Sequence, residues 1–172
     1  MRISRKYRRI GNYLTGLFFV TICFFGSFLA FKNAELKLKE LNSYTGKIIE
    51  KGITDSYSSI SGKGNLKFKV FYLKLEGLNQ ILASYNPKKS YGNLDKNLKI
   101  GDTVKVYFKM SSTTTKPNLA TFQIEKKNII ILNTNDYQFR EKIVGYMAIL
   151  GGFVIIGIAV YQDKKYWKKI RK

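Results

Sequence analysis

The chain has 172 residues, 45% of them hydrophobic, and a formal net charge of +20 from 31 Lys and Arg against 11 Asp and Glu. It has no histidine and one cysteine, which excludes the commonest general base, the commonest metal ligand and any internal disulfide. The carboxylates stand singly and not in acid–base couples, so composition predicts neither an enzyme nor a metal or cofactor site.

In chain order, residues 1–9 form a basic tail with Arg2, Arg5, Lys6, Arg8 and Arg9, and residues 10–31 are an uncharged apolar run. That run exceeds the roughly 18 residues that mark a spanning helix, and at about 1.5 Å per residue it crosses a hydrocarbon core near 30 Å thick. It is too long for a cleavable signal core, and no small-x-small pair follows Phe28-Leu29-Ala30-Phe31-Lys32, so it reads as a signal anchor. Cys23 lies in mid-run without the small residue that a lipid-attachment site needs before it, which makes it a packing residue.

Residues 33–41 keep a helical pattern with Leu38 and Leu41 one turn apart, and Asn42 and Ser43 stop it. A first strand is predicted over 44–53. The stretch 54–65, rich in serine and glycine and without periodicity, reads as a disordered connector, with a mobile binding loop as the alternative. Leu66, Phe68, Val70 and Tyr72 alternate with lysines before the apolar frame shifts to Leu73 and Leu75, which predicts a strand with a bulge. Glu76-Gly77 turns into a strand over 80–85, Asn86-Pro87 breaks it, and 91–98 reads as a short helix. Ile100-Gly101-Asp102 reverses the chain into a strand over 103–109, 111–118 is a polar loop, and strands follow over 119–125 and 128–132. A helix starting near Asn135, with Gln138 as its capping-box partner, flows into the second uncharged run, 143–161. Residues 162–172 form a second basic tail with Lys164, Lys165, Lys168, Lys169, Arg171 and Lys172.

The positive-inside rule predicts a multi-pass protein of the cell membrane with both tails cytoplasmic and residues 32–142 extracytoplasmic. The predicted fold is α+β, with two transmembrane helices flanking a small antiparallel β-barrel or sandwich of five to six strands, because no crossover long enough for a parallel sheet separates the strands. The two tails account for half of the net charge. The other half lies on 32–142, where it suits an anionic surface such as membrane lipid head groups or acidic envelope polymers, or else reflects lysine-rich codon usage.

The run Leu98-Lys99-Ile100-Gly101-Asp102-Thr103-Val104-Lys105-Val106-Tyr107-Phe108, preceded by an extended segment at 71–75 and by Ser84-Tyr85, resembles an uncharacterised family of bacterial membrane proteins. In that family a small β-domain of unknown function sits between two membrane helices, with a Gly-Asp-x-Val-x-Val-Tyr element late in the domain. The resemblance covers nearly the whole chain in layout. This sequence departs from it in carrying Thr114-Thr115-Lys116-Pro117 in place of an aspartate-proline turn. The resemblance implies the fold and no activity.

Small residues recur every seventh position on both helices: Gly16, Cys23 and Ala30 with Ser27 alongside, and Gly145, Gly152 and Ala159 with Ala148 on the same face. Such stripes let helices approach closely in lipid, within one chain or, as the rival arrangement, in a homodimer. Tyr7, Tyr13, Tyr161, Tyr166 and Trp167 fit an interfacial belt. Tyr85, Lys88, Lys89 and Tyr91 around Pro87 form the expected exposed patch for an anionic partner. Ser111 follows Met110, the reverse of the Ser-Met order of the signal-peptidase family, and no lysine is singled out as its base, so a serine–lysine dyad is not predicted. Basic, aromatic barrels bind single-stranded nucleic acid, but a domain outside the cell would not meet it. The expected function is a membrane-anchored, non-enzymatic binding or assembly module at the bacterial cell envelope, with an envelope or membrane protein as partner. The alternative is an immunity or accessory subunit that binds another membrane protein through its helices.

Overall fold

The structure, a computed structural model, describes residues 5–59, 65–86, 90–112, 114 and 116–170. It divides into two units, one made of Met1–Leu36 with Asp136–Lys172 and the other of Lys37–Asn135.

The first unit is a pair of helices. α1 spans Arg5–Ala34 and α3 spans Thr134–Ile170, and both are long and apolar enough to cross a membrane. They pack through their small residues. Ser27, Ala30, Ala34, Gly145 and Gly152 are buried, while Gly16, Cys23, Ala148 and Ala159 are half-buried. A Cβ at Gly145 would stand 2.9 Å from Phe31 Cζ, and one at Gly152 would stand 3.4 Å from Phe24 Cζ and 3.5 Å from Cys23 Cβ. Beside Gly16 there is open space, so the close approach belongs to the C-terminal half of α1. Rings line the seam, Phe24 with Phe153 at 5.8 Å and Phe31 with Tyr146 at 5.1 Å, both edge-on.

Polar pairs fasten both ends of the seam. Arg9 pairs with Asp163, and its guanidinium lies over the rings of Tyr166, Trp167 and Tyr13 at 4.8, 5.1 and 5.6 Å. At the other end, Asn33 Nδ2 donates to Glu141 Oε2 at 3.2 Å, and Gln138 Nε2 donates to the Leu36 carbonyl at 2.8 Å. Gln138 therefore does not close a capping box. Asn133 caps α3 instead, its Oδ1 accepting the Asn135 N–H at 2.9 Å. α1 ends at Ala34, and the predicted helical continuation shrinks to a 3-10 turn over Leu38–Glu40.

The second unit is a six-stranded antiparallel sheet. Its strands are β1 Asn42–Ser59, β2 Asn65–Leu75, β3 Ile81–Ser84, β4 Thr103–Phe108, β5 Thr121–Lys126 and β6 Ile129–Leu132, in the order β3-β2-β1-β4-β5-β6, with α2 spanning Gly92–Asn97. The expected barrel or sandwich is replaced by one open sheet. Only a single parallel bridge, Leu82 with Asn118, joins β3 to the chain ahead of β5 among the described residues.

β1 serves two partners. Its first part, from Asn42 to Lys47, pairs with β4, and from Ile48 onward it pairs with β2. The bulge falls at this change of partner, between Ile48 and Glu50 on β1, and not on β2 as the frame shift had suggested. β2 pairs without interruption from Lys74 to Asn65; its apolar frame shifts because Val70 is buried on one face while Phe71, Leu73 and Leu75 are buried on the other. The turn before β4 holds the bend: Gly101 N donates to Ile48 O at 2.8 Å and Ile48 N to Asp102 O at 2.9 Å. Gly101 sits at φ +90, a conformation that a side chain would strain. Asp102 completes the turn by accepting the Lys99 N–H at 2.7 Å and Lys126 Nζ at 2.5 Å.

The core lies on one face of the sheet. Ile48, Phe71, Leu73, Leu75, Leu82, Val104, Val106, Phe108 and Ile124 supply it, and Tyr91, Leu94 and Leu98 from the α2 region join it. Each such side chain contributes about 1.5–3 kcal/mol by leaving water.

Candidate functional site

Of the stretch 54–65, expected to be disordered, residues 54–59 and 65 are strand, and residues 60–64 lie outside the described residues. From Thr54 to Ser59 β1 pairs with β2 from Val70 to Asn65, while β3 meets β2 only from Phe71 and β4 meets β1 only up to Lys47. A two-stranded ribbon therefore extends beyond the six-stranded sheet. Two strands alone are marginal in water, so side chains must hold them together.

On one face of the ribbon Asp55 pairs with Lys67 at 2.9 Å, and the Lys67 ammonium lies 5.9 Å from the centre of the Tyr57 ring. The Asp55 carboxylate holds Lys67 above the ordinary lysine range. On the other face Phe68 meets Tyr85 edge-on at 5.3 Å. Tyr57, Leu66, Lys67, Lys69 and Tyr85 are all exposed. On the Tyr57 face cations thus stand beside an aromatic ring, a combination that grips anionic or apolar extended ligands.

Of the four expected patch residues, Tyr85 is exposed but lies against Phe68 on the face opposite to Tyr57 and Lys67. Lys88 and Lys89 fall outside the described residues. Tyr91 leaves the patch: it is 3% exposed and stacks on Phe71 at 6.2 Å. Its hydroxyl donates to the Lys69 carbonyl at 2.8 Å and accepts the Asn86 N–H at 3.0 Å. An aromatic next to a proline break looks like a loop residue in sequence, yet here its ring completes the core while its hydroxyl serves a strand carbonyl. Sequence reasoning missed Tyr57 because Ser and Gly dominate 54–65, and it placed Lys67 and Phe68 on a strand without assigning them to a surface. The signal it passed over was the alternation of Asp55 and Tyr57 opposite Lys69 and Lys67.

A second polar cluster is structural. Gln80 and Asn118 are both 6% exposed. Asn118 Nδ2 donates to Gln80 Oε1 at 2.9 Å and to Lys109 O at 2.8 Å, and its Oδ1 accepts Ala120 N at 3.0 Å. Gln80 Nε2 in turn donates to Ser111 O at 2.7 Å. This clasp fastens the 109–120 loop to the β3 edge, where Asn118 N donates to Ile81 O and Ala83 N to Asn118 O. A third group, Glu50 with Tyr72 at 2.8 Å and Lys74 at 2.6 Å, ties β1 to β2 just past the bulge. Lys74, then Tyr72, hold the Glu50 carboxyl below its usual range.

No protein family, curated protein or solved structure matches this chain.

Proposed function

We propose that the protein is a membrane-anchored, non-enzymatic binding or assembly module of the bacterial cell envelope, with both termini cytoplasmic and the sheet domain outside. The observation that carries this reading is the β1–β2 ribbon, which projects Tyr57, Leu66 and Lys67 into solvent, with exposed Tyr85 packed against its Phe68, on a domain that two apolar helices tether. Tethering raises the effective concentration of the ribbon toward any partner at the same membrane, so modest contacts suffice. The resembled family is compatible with this role and names no reaction. A photo-crosslinking residue at position 57 should give discrete adducts in cells, lost when Lys67→Gln and Tyr85→Ser are combined. Adducts that persist in that variant would remove the ribbon from the role. Labelling of Ser112→Cys in intact cells by a membrane-impermeant thiol reagent, with Cys23→Ala as background, tests the topology. Labelling only after lysis would place the domain in the cytoplasm and reopen nucleic acid as a partner.

A second reading, an accessory or immunity subunit acting through its helices, draws on the outward faces of α1 and α3. There Phe18, Phe25 and Phe28 are exposed, and Gly26 and Gly157 have no neighbour within 4 Å to meet an added Cβ. Retention of the partner by the two helices joined without residues 42–132 would favour it; loss would favour the ribbon.

A further inference from the structure

The sheet domain receives and releases the chain at one end. Asn42, the first residue of β1, pairs with Phe108, the last of β4, and Phe108 pairs with Thr121, the first of β5. Thr134, the first residue of α3, shares its one hydroxyl hydrogen between Phe122 O at 3.3 Å and Gln123 Oε1 at 3.2 Å. The 109–120 loop closes at the same end, with Lys109 N donating to Ala120 O at 2.9 Å.

This end carries an amphipathic set of side chains. Met110 is 67% and Leu119 41% exposed. Lys109 and Lys116 flank them, and the incoming segment adds exposed Lys37 and Lys39 beside the exposed carboxylates of Glu35 and Glu40. The Gln80–Asn118 clasp fixes both feet of the loop, so Met110 and Leu119 are held outward with little freedom to fold back.

Chain connectivity limits how far this end can stand from a bilayer that α3 spans. Residues 134–142 of α3 precede its uncharged run, and nine helical residues rise about 14 Å. The interfacial layer outside the hydrocarbon is about 5–8 Å thick on each side. The gap left is therefore at most about one Debye length, about 8 Å at physiological salt, within which lysines feel an anionic lipid surface and can draw the loop onto it.

We propose that this end of the domain docks on anionic lipid head groups, with Met110 and Leu119 entering the interface and Lys109, Lys116, Lys37 and Lys39 meeting the phosphates. The inference rests on α1 and α3 spanning the bilayer, and goes beyond the proposed function in assigning a lipid-binding surface separate from the ribbon. Lysines paired with exposed apolar groups suit a charged interface, where each type of group has a place to go.

The test uses the full chain, with Cys23→Ala, reconstituted in vesicles of phosphatidylcholine alone or mixed with phosphatidylglycerol. An environment-sensitive dye is placed at Ser112→Cys in the loop or at Val154→Cys on the exposed face of α3. The Ser112 dye should brighten severalfold and shift to the blue only with phosphatidylglycerol, and the change should vanish at high salt and in the Lys109→Gln/Lys116→Gln variant. Equal Ser112 emission in both vesicles, with the Val154 dye in an apolar environment, would overturn the lipid contact and leave the spanning helices standing. Water-like emission from Val154 would overturn the spanning reading itself and the proposal with it.

Discussion

Asn118→Ala removes the side chain on which the 109–120 loop depends. Three hydrogen bonds go with it, to Gln80 Oε1, to Lys109 O and from Ala120 N, at 2.9, 2.8 and 3.0 Å. A buried group left without its partner costs about 1–3 kcal/mol. The bond to the Lys109 carbonyl is part-buried, so water can recover some of that loss, whereas the bond to the Gln80 amide is buried. The expected net cost is about 3 kcal/mol, on the order of a hundredfold in the equilibrium for opening the loop. The backbone bond Ala83 N to Asn118 O then opens more often, so hydrogen exchange at the Ala83 amide in detergent micelles should accelerate by a similar factor. Amides of β4 in the sheet centre should slow or speed far less. Unchanged Ala83 exchange in Asn118→Ala would refute the view that the side-chain clasp holds this edge, and would leave the backbone bridge as sufficient.

Other perturbations read other parts of the molecule. Gly145→Leu drives a side chain into Phe31, whose Cζ is 2.9 Å from the added Cβ, and should lower the thermal stability of the helix pair in micelles by about 1–3 kcal/mol; an unchanged melting profile would refute close packing at this point. Gly52→Val meets the Tyr72 ring at 3.1 Å and should break the Tyr72–Glu50 hydrogen bond, seen as a change in near-ultraviolet tyrosine dichroism. Lys126, followed by the Lys99 N–H, holds Asp102 below its ordinary value of 3.8. Because the folded pKa is the lower one, this stabilisation is complete above that ordinary value and is lost as pH falls through the depressed one. Urea midpoints should therefore drop below about pH 4, and Asp102→Asn should be less stable at neutral pH with a shallower acid limb.

The helices, most strands and α2 were legible in the sequence because each depends on local periodicity: two long uncharged runs, and alternation such as Val104, Val106 and Phe108. What escaped were features set by partners distant in sequence. The bulge sits on β1 because β1 changes from β4 to β2 at Ile48, and nothing within 44–53 records that exchange. Residues 54–59 are strand because Lys67 and Lys69 stand opposite them, although their own composition favours a loop. Barrel closure was expected from strand count and hairpin connections, but closure needs β3 to pair with β6, and among the described residues the β3 edge gains a single bridge, from Leu82 to Asn118 ahead of β5. Tyr91 was assigned to the surface from its neighbours and is buried by Phe71, twenty residues earlier in the chain.

The bend in β1 links the two surfaces proposed for function. Upstream of Ile48, β1 belongs to the half of the sheet that receives and releases the chain; downstream it becomes one edge of the ribbon. Both halves share this strand, so the direction of the ribbon is set where the Gly101 and Asp102 backbone grips Ile48. A substitution such as Gly101→Val strains the turn at φ +90 and loosens that grip while leaving the Gln80–Asn118 clasp untouched. Crosslinking from position 57 should then fall or change its products, while the dye response at Ser112 persists. Loss of both together would mean that the sheet behaves as one cooperative body and that the bend does not separately aim the ribbon.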